Sequence, residues 1–137
     1  MVDFLNSDDA QTLWDSSRYG AAKAVRLEQG GWVGPNNAFE PFELISQGPC
    51  GLMFYIPAEL EPGTFPVHTH PAHRNEFFPA CGGLTYRNNA SQADMDVIAG
   101  VAAVHFGLIL DFNGFILHNG SVSRHVSNQC GFRRNGH

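Results

Sequence analysis

The sequence has few charged residues, and cations are the scarcer kind. Charged residues make up 15% of the 137-residue chain, with 8 Lys and Arg against 13 Asp and Glu, for a formal net charge of -5. Proteins that bind nucleic acid neutralise its phosphates with clustered Lys and Arg, and the longest basic cluster here is Arg133-Arg134. The composition therefore argues against nucleic acid as a partner.

Long apolar runs and paired cysteines are also missing. No apolar run approaches the length that crosses a bilayer, and Met1 is not followed by the basic and then apolar stretch of a signal peptide. We therefore expect no membrane partner, and either a cytoplasmic location or export as part of a larger effector. The 3 cysteines, at positions 50, 81 and 130, form no CxxC zinc pair and no even disulfide set, so we expect reduced thiols.

The apolar residues are numerous enough for one core, since 43% of the residues are hydrophobic and 11 are Phe. The length is that of one domain, so we expect a single domain over residues 1–137. Apolar residues at helical spacing predict a first helix over residues 10–29, ended by Gly30-Gly31. This stripe reaches Glu28, which would place a carboxylate on the buried face, where it needs a partner.

The rest of the chain alternates short apolar runs with turn signals. These runs predict strands at residues 32–33, 39–45, 52–56 and 67–70. Pro66 has no backbone donor, so it should mark a strand start or a sheet edge. A second helix is predicted over residues 91–103. Two Asn-Gly dipeptides predict hairpins in a C-terminal β-meander of strands 104–112, 115–118 and 121–126. The predicted class is α+β, with helices packed on a curved sheet.

His68 and His70 are the clearest functional signal. Alternate side chains of an extended segment point to the same face, so the two imidazoles would converge as the ligands of a divalent metal do. A catalytic zinc usually has three protein ligands, and Asp94, in the first turn of the second helix, is the best third candidate. Ser91-x-x-Asp94 also matches a capping box, in which Asp94 reaches back to the helix start, and both interpretations stay open.

Glu28 is the candidate general base. Hydrolysis by a metal-activated water needs a nearby carboxylate that takes up a proton without ligating the metal. An acid on an apolar helical face fits that description. The alternative is an acid at the end of a helix with no part in the chemistry.

The order Glu28, His68-Thr69-His70-Pro71 and Ser91-x-x-Asp94 resembles the motif of the JAMM (MPN-plus, Mov34-like) zinc metalloproteases, over roughly residues 10–120. The resemblance implies the cytidine-deaminase-like MPN fold with one Zn2+ at the edge of its sheet. It implies His68, His70 and Asp94 as zinc ligands. It also implies Glu28 as the general acid/base and Ser91 as a residue that stabilises the oxyanion.

The resemblance implies hydrolysis of a peptide or isopeptide bond in a protein or peptide substrate. Residues 72–90 form a longer insertion than is usual in the family, and such a loop can extend without moving its ends. The same loop varies in RadC-like proteins and in bacterial toxin or phage-tail proteins, which the chain resembles more than the eukaryotic deubiquitinases. The aromatic residues of the insertion predict either a lid over the site or a plug over the core.

Two other functions stay open. Pro62-Gly63, His68-Thr69-His70 and Glu76 resemble the first cupin motif, which would make the chain a β-barrel binding another metal through the two histidines and Glu76. The chain could instead be a non-catalytic MPN-like scaffold.

Overall fold

A computed structural model describes residues 1–19, 27–48, 51–71, 92–111 and 114–127. Within these ranges the helices are α1 (Val2–Leu5), α2 (Asp8–Tyr19) and α3 (Gln92–Gly100). The strands are β1 (Gly30–Val33), β2 (Phe39–Pro41), β3 (Leu44–Gln47), β4 (Leu52–Phe54), β5 (Phe65–Thr69), β6 (Gly107–Asp111), β7 (Gly114–His118) and β8 (Ser123–Ser127). None of the described helices is long and apolar enough to span a membrane.

Six strands form one sheet in the order β2-β1-β5-β6-β7-β8, and β3 and β4 form a separate hairpin. Within the large sheet β5 and β6 are parallel, and the other neighbours are antiparallel. A parallel pair needs a long crossover connection, and the connection from β5 to β6 contains α3. The α+β class, the curved mixed sheet and the C-terminal meander of β6, β7 and β8 are thereby confirmed.

Helices pack on both faces of the large sheet. On one face, Trp14 of α2 lies in the larger core cluster with Val67 and Leu108. On the other face, Ile98 of α3 packs with Trp32 in a second cluster. Because successive side chains of a strand point to opposite faces, His68 lies on the α3 face while its neighbour Val67 lies on the α2 face.

The first helix is shorter than the sequence predicted. α2 ends at Tyr19, residues 20–26 lie outside the described part, and residues 27–29 are not helical. The Glu28 N–H donates to the Gly48 carbonyl at 2.9 Å, and the Gln29 carbonyl accepts from the Thr69 N–H at 2.9 Å. These bonds to neighbouring segments replace the bonds a helix would make to its own preceding turn. The placement of Glu28 on a helix was therefore wrong, and Gly30-Gly31 begin β1 rather than cap a helix.

Of the two alternatives for Pro66, the sheet edge was wrong, whereas the strand start agrees with its place as the second residue of β5. β5 lies in the middle of the sheet, where Pro66 pairs with Trp32 of β1. Pairing with β6 begins one residue later, at Val67 and Leu108. Pro66 therefore lies before the parallel ladder starts, so its missing donor interrupts no bond to β6.

The other element boundaries shifted modestly. The strand predicted over residues 39–45 is divided between β2 and β3, which belong to different sheets. The second helix forms within its predicted range and begins at Gln92. The insertion at residues 72–90 lies outside the described residues, so its predicted role as a lid or plug stays a prediction.

Candidate metal centre

His68 of β5 and His70, which directly follows β5, bring their ring nitrogens together on the α3 face of the sheet. His68 Nε2 and His70 Nε2 lie 3.3 Å apart, and the two residues are 9% and 5% exposed. Two nitrogen ligands of a tetrahedral zinc, each about 2.0–2.1 Å from the ion, are separated by about 3.3–3.4 Å. The spacing of the two nitrogens therefore fits a shared ion.

Asp94 closes the site from the opposite side. Its Oδ1 lies 3.2 Å from His68 Nε2, and its Oδ2 lies 3.5 Å from His70 Nε2. Ile98, one turn later on α3, is buried in the second core cluster. Residues four apart share a helix face, so the burial of Ile98 turns Asp94 toward β5.

The charge of the Asp94 carboxyl suits a metal ligand. Burial alone would raise the pKa of Asp94, but the charges and hydrogen bonds of His68 and His70 outweigh it and hold that pKa well below its usual range. The carboxylate is therefore ionised at neutral pH, and an ionised oxygen is the form that binds a cation.

Glu28 lies beside this trio, slightly farther out. Its side chain is almost fully buried, and its Oε1 lies 4.0 Å from His68 Nε2. One ligand atom from each of Glu28, His68 and His70 lies within 4.8 Å of the others. Because the Asp94 oxygens lie closer to the imidazoles, the geometry favours Asp94 as the ligand and Glu28 as a group next to the ion.

Two buried hydroxyl groups join the Glu28 segment to β5. Ser17 Oγ donates to the Leu27 carbonyl, and Thr69 Oγ1 accepts from the Gln29 N–H at 3.0 Å. The two hydroxyl oxygens lie 2.6 Å apart. Since the Ser17 proton goes to Leu27, Thr69 is the donor of this pair.

This network fixes both parts of the site. Leu27 and Gln29 flank Glu28, and Thr69 lies between His68 and His70 in the chain. Ser17 is 1% exposed and Thr69 is fully buried, so water does not compete for these bonds. Sequence analysis missed both residues, although a serine on the apolar stripe of the first helix was a signal that could have identified one of them.

Gly30 leaves room for the first histidine. It pairs with His68 across β1 and β5. A Cβ at this position would contact the Val67 carbonyl and would lie 2.5 Å from Phe42 Cε2 and 2.8 Å from His68 Cβ. Real Cβ atoms do not approach other atoms so closely. The close approach of β1 to the site therefore requires glycine.

The end of β3 in the β3–β4 hairpin contacts the backbone of Glu28. Gln47 Nε2 donates to the Glu28 carbonyl at 2.9 Å, in addition to the backbone bond from Glu28 to Gly48. The hairpin therefore helps hold the backbone of Glu28 in place.

His118 of β7 lies on the same face of the sheet as the site. It pairs with Gly107, it is 3% exposed, and its Nδ1 has no hydrogen-bond partner among the described residues. Burial and the charge of His68 lower the pKa of His118 to about 4, against an opposing effect of Asp94. His118 is therefore neutral at neutral pH. Nothing in the spacing of the histidines along the sequence distinguished it.

The remaining predicted site residues are Ser91 and, for the cupin alternative, Glu76. Both lie outside the described residues, so the predicted oxyanion role of Ser91 and the ligand role of Glu76 stay predictions. The structure thus brings together Glu28, His68, His70 and Asp94, four of the five residues proposed for a zinc hydrolase.

Comparison of the chain with protein-family models, with curated proteins and with solved structures finds no match. The assignment of a function therefore depends on the site itself.

Proposed function

We propose that the chain is a zinc-dependent hydrolase of peptide or isopeptide bonds, with an MPN-like fold. The observation that carries the proposal is the convergence of two imidazoles and two carboxylates, contributed by three separate segments, on one buried point. A structural site would satisfy zinc with four protein ligands, whereas a catalytic site keeps a position for water. Three near ligands with a fourth acid slightly farther away suit the catalytic type.

The donor set supports zinc. Imidazole and carboxylate are ligands that zinc accepts readily, and the separations of 3.2, 3.3 and 3.5 Å between neighbouring donors suit its short bonds. Without an ion, two buried imidazole nitrogens 3.3 Å apart attract each other only through a hydrogen bond, which requires a proton on one of them. His68, His70 and Asp94 would hold the ion, which when bound supplies a Lewis acid that activates water and polarises a carbonyl.

The chain's own residues would carry the proton and exclude bulk water. The Glu28 carboxylate would take up a proton from the attacking water and deliver it to the leaving nitrogen of the cleaved amide. Its burial supports this role, because a base enclosed by protein keeps the proton within reach of the leaving group. The family resemblance adds Ser91 as a donor to the carbonyl oxygen.

The fold supports this proposal over the cupin alternative. A cupin places its metal inside a β-barrel, whereas the described strands of the large sheet run from β2 at one edge to β8 at the other, with helices on both faces. Asp94, within 3.5 Å of both imidazoles, would also take the place of the third ligand that the cupin alternative assigned to Glu76.

The proposal is tested with Glu28→Gln. The amide keeps the size of the side chain but cannot take up a proton, so we expect zinc still to bind while hydrolysis of a quenched peptide library is abolished. Asp3→Asn, which removes a carboxylate charge from an exposed position on α1, is the control and should hydrolyse normally. Full hydrolysis by Glu28→Gln, or zinc-loaded wild-type protein that cleaves no peptide or isopeptide bond, would contradict the proposal.

A further inference from the structure

A groove of about 870 Å3 lies between the turn that joins β1 to β2 and the segment that follows β4. Trp32 forms part of its lining. On β1, Trp32 is two residues from Gly30, the partner of His68. Side chains two apart on a strand share a face, so the groove opens on the same side of the sheet as the candidate metal centre.

The groove has an acidic rim. Four of the chain's glutamates line it, namely Glu40, Glu43, Glu59 and Glu61. None of the four side chains forms an ion pair or a hydrogen bond with another described residue. The sequence from residue 27 to residue 71 contains no Lys and no Arg. Within the described ranges, no side chain of opposite charge therefore pairs with these glutamates.

The same groove exposes apolar surface. Tyr55 and Ile56 line it and are 55% and 45% exposed, so two neighbouring large side chains present apolar surface to the groove. Like charges held close together repel one another unless a partner of opposite charge is bound. Acidic groups around exposed aromatic and aliphatic side chains are complementary to a segment that is both cationic and apolar.

We propose that this groove binds a polypeptide segment carrying Lys or Arg next to an apolar residue. Because the groove opens on the same face of the sheet as the candidate metal centre, this segment would be part of the substrate, some residues away from the bond that is cleaved. That assignment as substrate depends on the proposed hydrolase function, whereas the binding itself does not. The partner is a protein or peptide chain because only such a chain offers both kinds of side chain and an amide bond.

The test measures binding without turnover. Full-length Glu28→Gln protein, loaded with zinc, is titrated against a short fluorescent peptide of alternating lysine and leucine, and anisotropy is recorded at low and high salt. We expect binding that weakens with salt. A peptide of alternating glutamate and leucine, and one of alternating lysine and serine, should both bind more weakly.

Glu43→Gln combined with Glu61→Gln should weaken binding of the lysine–leucine peptide by about fivefold or more, as expected for two exposed ion pairs. Asp3→Asn combined with Asp9→Asn removes the same charge from exposed positions on α1 and α2, and it should leave the affinity unchanged. Equal loss in the two double variants would show that only net charge acts, and it would overturn the proposal. The proposal would also be overturned if a second copy of the chain covered the groove. The protein would then be a dimer that binds no peptide and that dissociates in the Glu43→Gln, Glu61→Gln variant.

The two proposals fail separately. Peptide binding that depends on Glu43 and Glu61, in protein that cleaves nothing, would refute the hydrolase and retain the groove. Hydrolysis that proceeds equally on acidic and basic peptides would retain the hydrolase and refute the groove.

Discussion

Ser17 Oγ and Thr69 Oγ1 form a hydrogen bond 2.6 Å long across the face of the sheet opposite the candidate metal centre. Thr69 is the residue between the two histidines, and Ser17 holds the carbonyl of Leu27, the residue before Glu28. One buried pair of hydroxyls on the α2 face therefore sets the position of Glu28 relative to the two imidazoles on the other face.

Replacing Thr69 with valine should loosen this arrangement. Valine keeps the shape of the side chain but leaves the Gln29 N–H without its acceptor, and a buried group left unsatisfied costs about 1–3 kcal/mol. We expect the free energy of unfolding to fall by that amount, and the visible spectrum of cobalt bound in place of zinc to change. Urea unfolding and cobalt titration measure the two effects.

Thr69→Ser restores the hydroxyl and should restore the cobalt spectrum. Ser7→Ala is the stability control, because Ser7 Oγ accepts from the Ala10 N–H at 3.2 Å at the start of α2, and loss of such a cap costs about 1 kcal/mol. If Ser7→Ala altered the cobalt spectrum as Thr69→Val does, the hydroxyl pair would have no special positioning role.

Gly30→Ala should disturb the site directly. The added methyl group would meet Phe42 and His68, and overpacking a tight interior typically costs about 1–3 kcal/mol. We expect lower stability and weaker zinc binding, since His68 must move to make room. Gly51→Ala is the matched control, because a Cβ there would meet nothing within 4 Å. Zinc affinity is measured by competition with a chelator. An unchanged affinity in Gly30→Ala would contradict the prediction that the displacement of His68 weakens zinc binding.

Asp94→Asn should lose far more zinc affinity than Glu28→Gln. The asparagine cannot offer an ionised oxygen, whereas Glu28 lies farther from the imidazoles than Asp94 does. Loss of a mere outer partner reduces metal affinity by about 10- to 100-fold, so Asp94→Asn should exceed that range and Glu28→Gln should not. The reverse order of affinities would assign Glu28 as the ligand and leave the site without its base.

The stability of the metal-free protein should depend on His118 at mildly acidic pH. In the folded state the pKa of His118 is lowered to about 4, whereas an unfolded histidine titrates near 6.5. Between these values the unfolded chain binds the extra proton, so stability is fully present above pH 6.5 and is lost as the pH falls toward 4.

His118→Leu removes that proton acceptor. The variant should therefore lose less stability between pH 7 and pH 4.5 than the wild-type protein does, by up to about 3 kcal/mol. Urea unfolding at a series of pH values gives the comparison. Parallel stability curves for the two proteins would mean that His118 takes up its proton equally in both states.

The sequence predicted which of the candidate site residues lie together better than it predicted the path of the chain around them. His68 and His70 could be paired because alternation along a strand is a local rule, and Asp94 because it lies in the first turn of a periodic helix. Glu28 does lie next to His68, as the prediction required, but it is on a different element from the predicted helix. In the sequence, the apolar pattern of the first helix extends as far as Glu28. In the structure, backbone hydrogen bonds to Gly48 and Thr69 hold residues 28 and 29 against other segments instead.

Other features depended on contacts between distant residues. The Ser17–Thr69 bond joins residues separated by 52 positions, and the groove is lined by side chains from two hairpins and their connections. No local pattern records which segments pack together, so neither feature could be predicted from the residues alone. The resemblance supplied the order of the motif residues but not these supporting contacts.

The most direct test of the metal centre is X-ray absorption at the zinc edge of the purified protein. A hydrolase site of the proposed kind predicts one zinc per chain, with only nitrogen and oxygen neighbours at about 2.0–2.1 Å and two imidazoles among them. The imidazole signal should fall by half in His70→Gln. Zinc bound through sulfur, which lies at about 2.3 Å, or protein that takes up no zinc at all, would contradict the proposed centre.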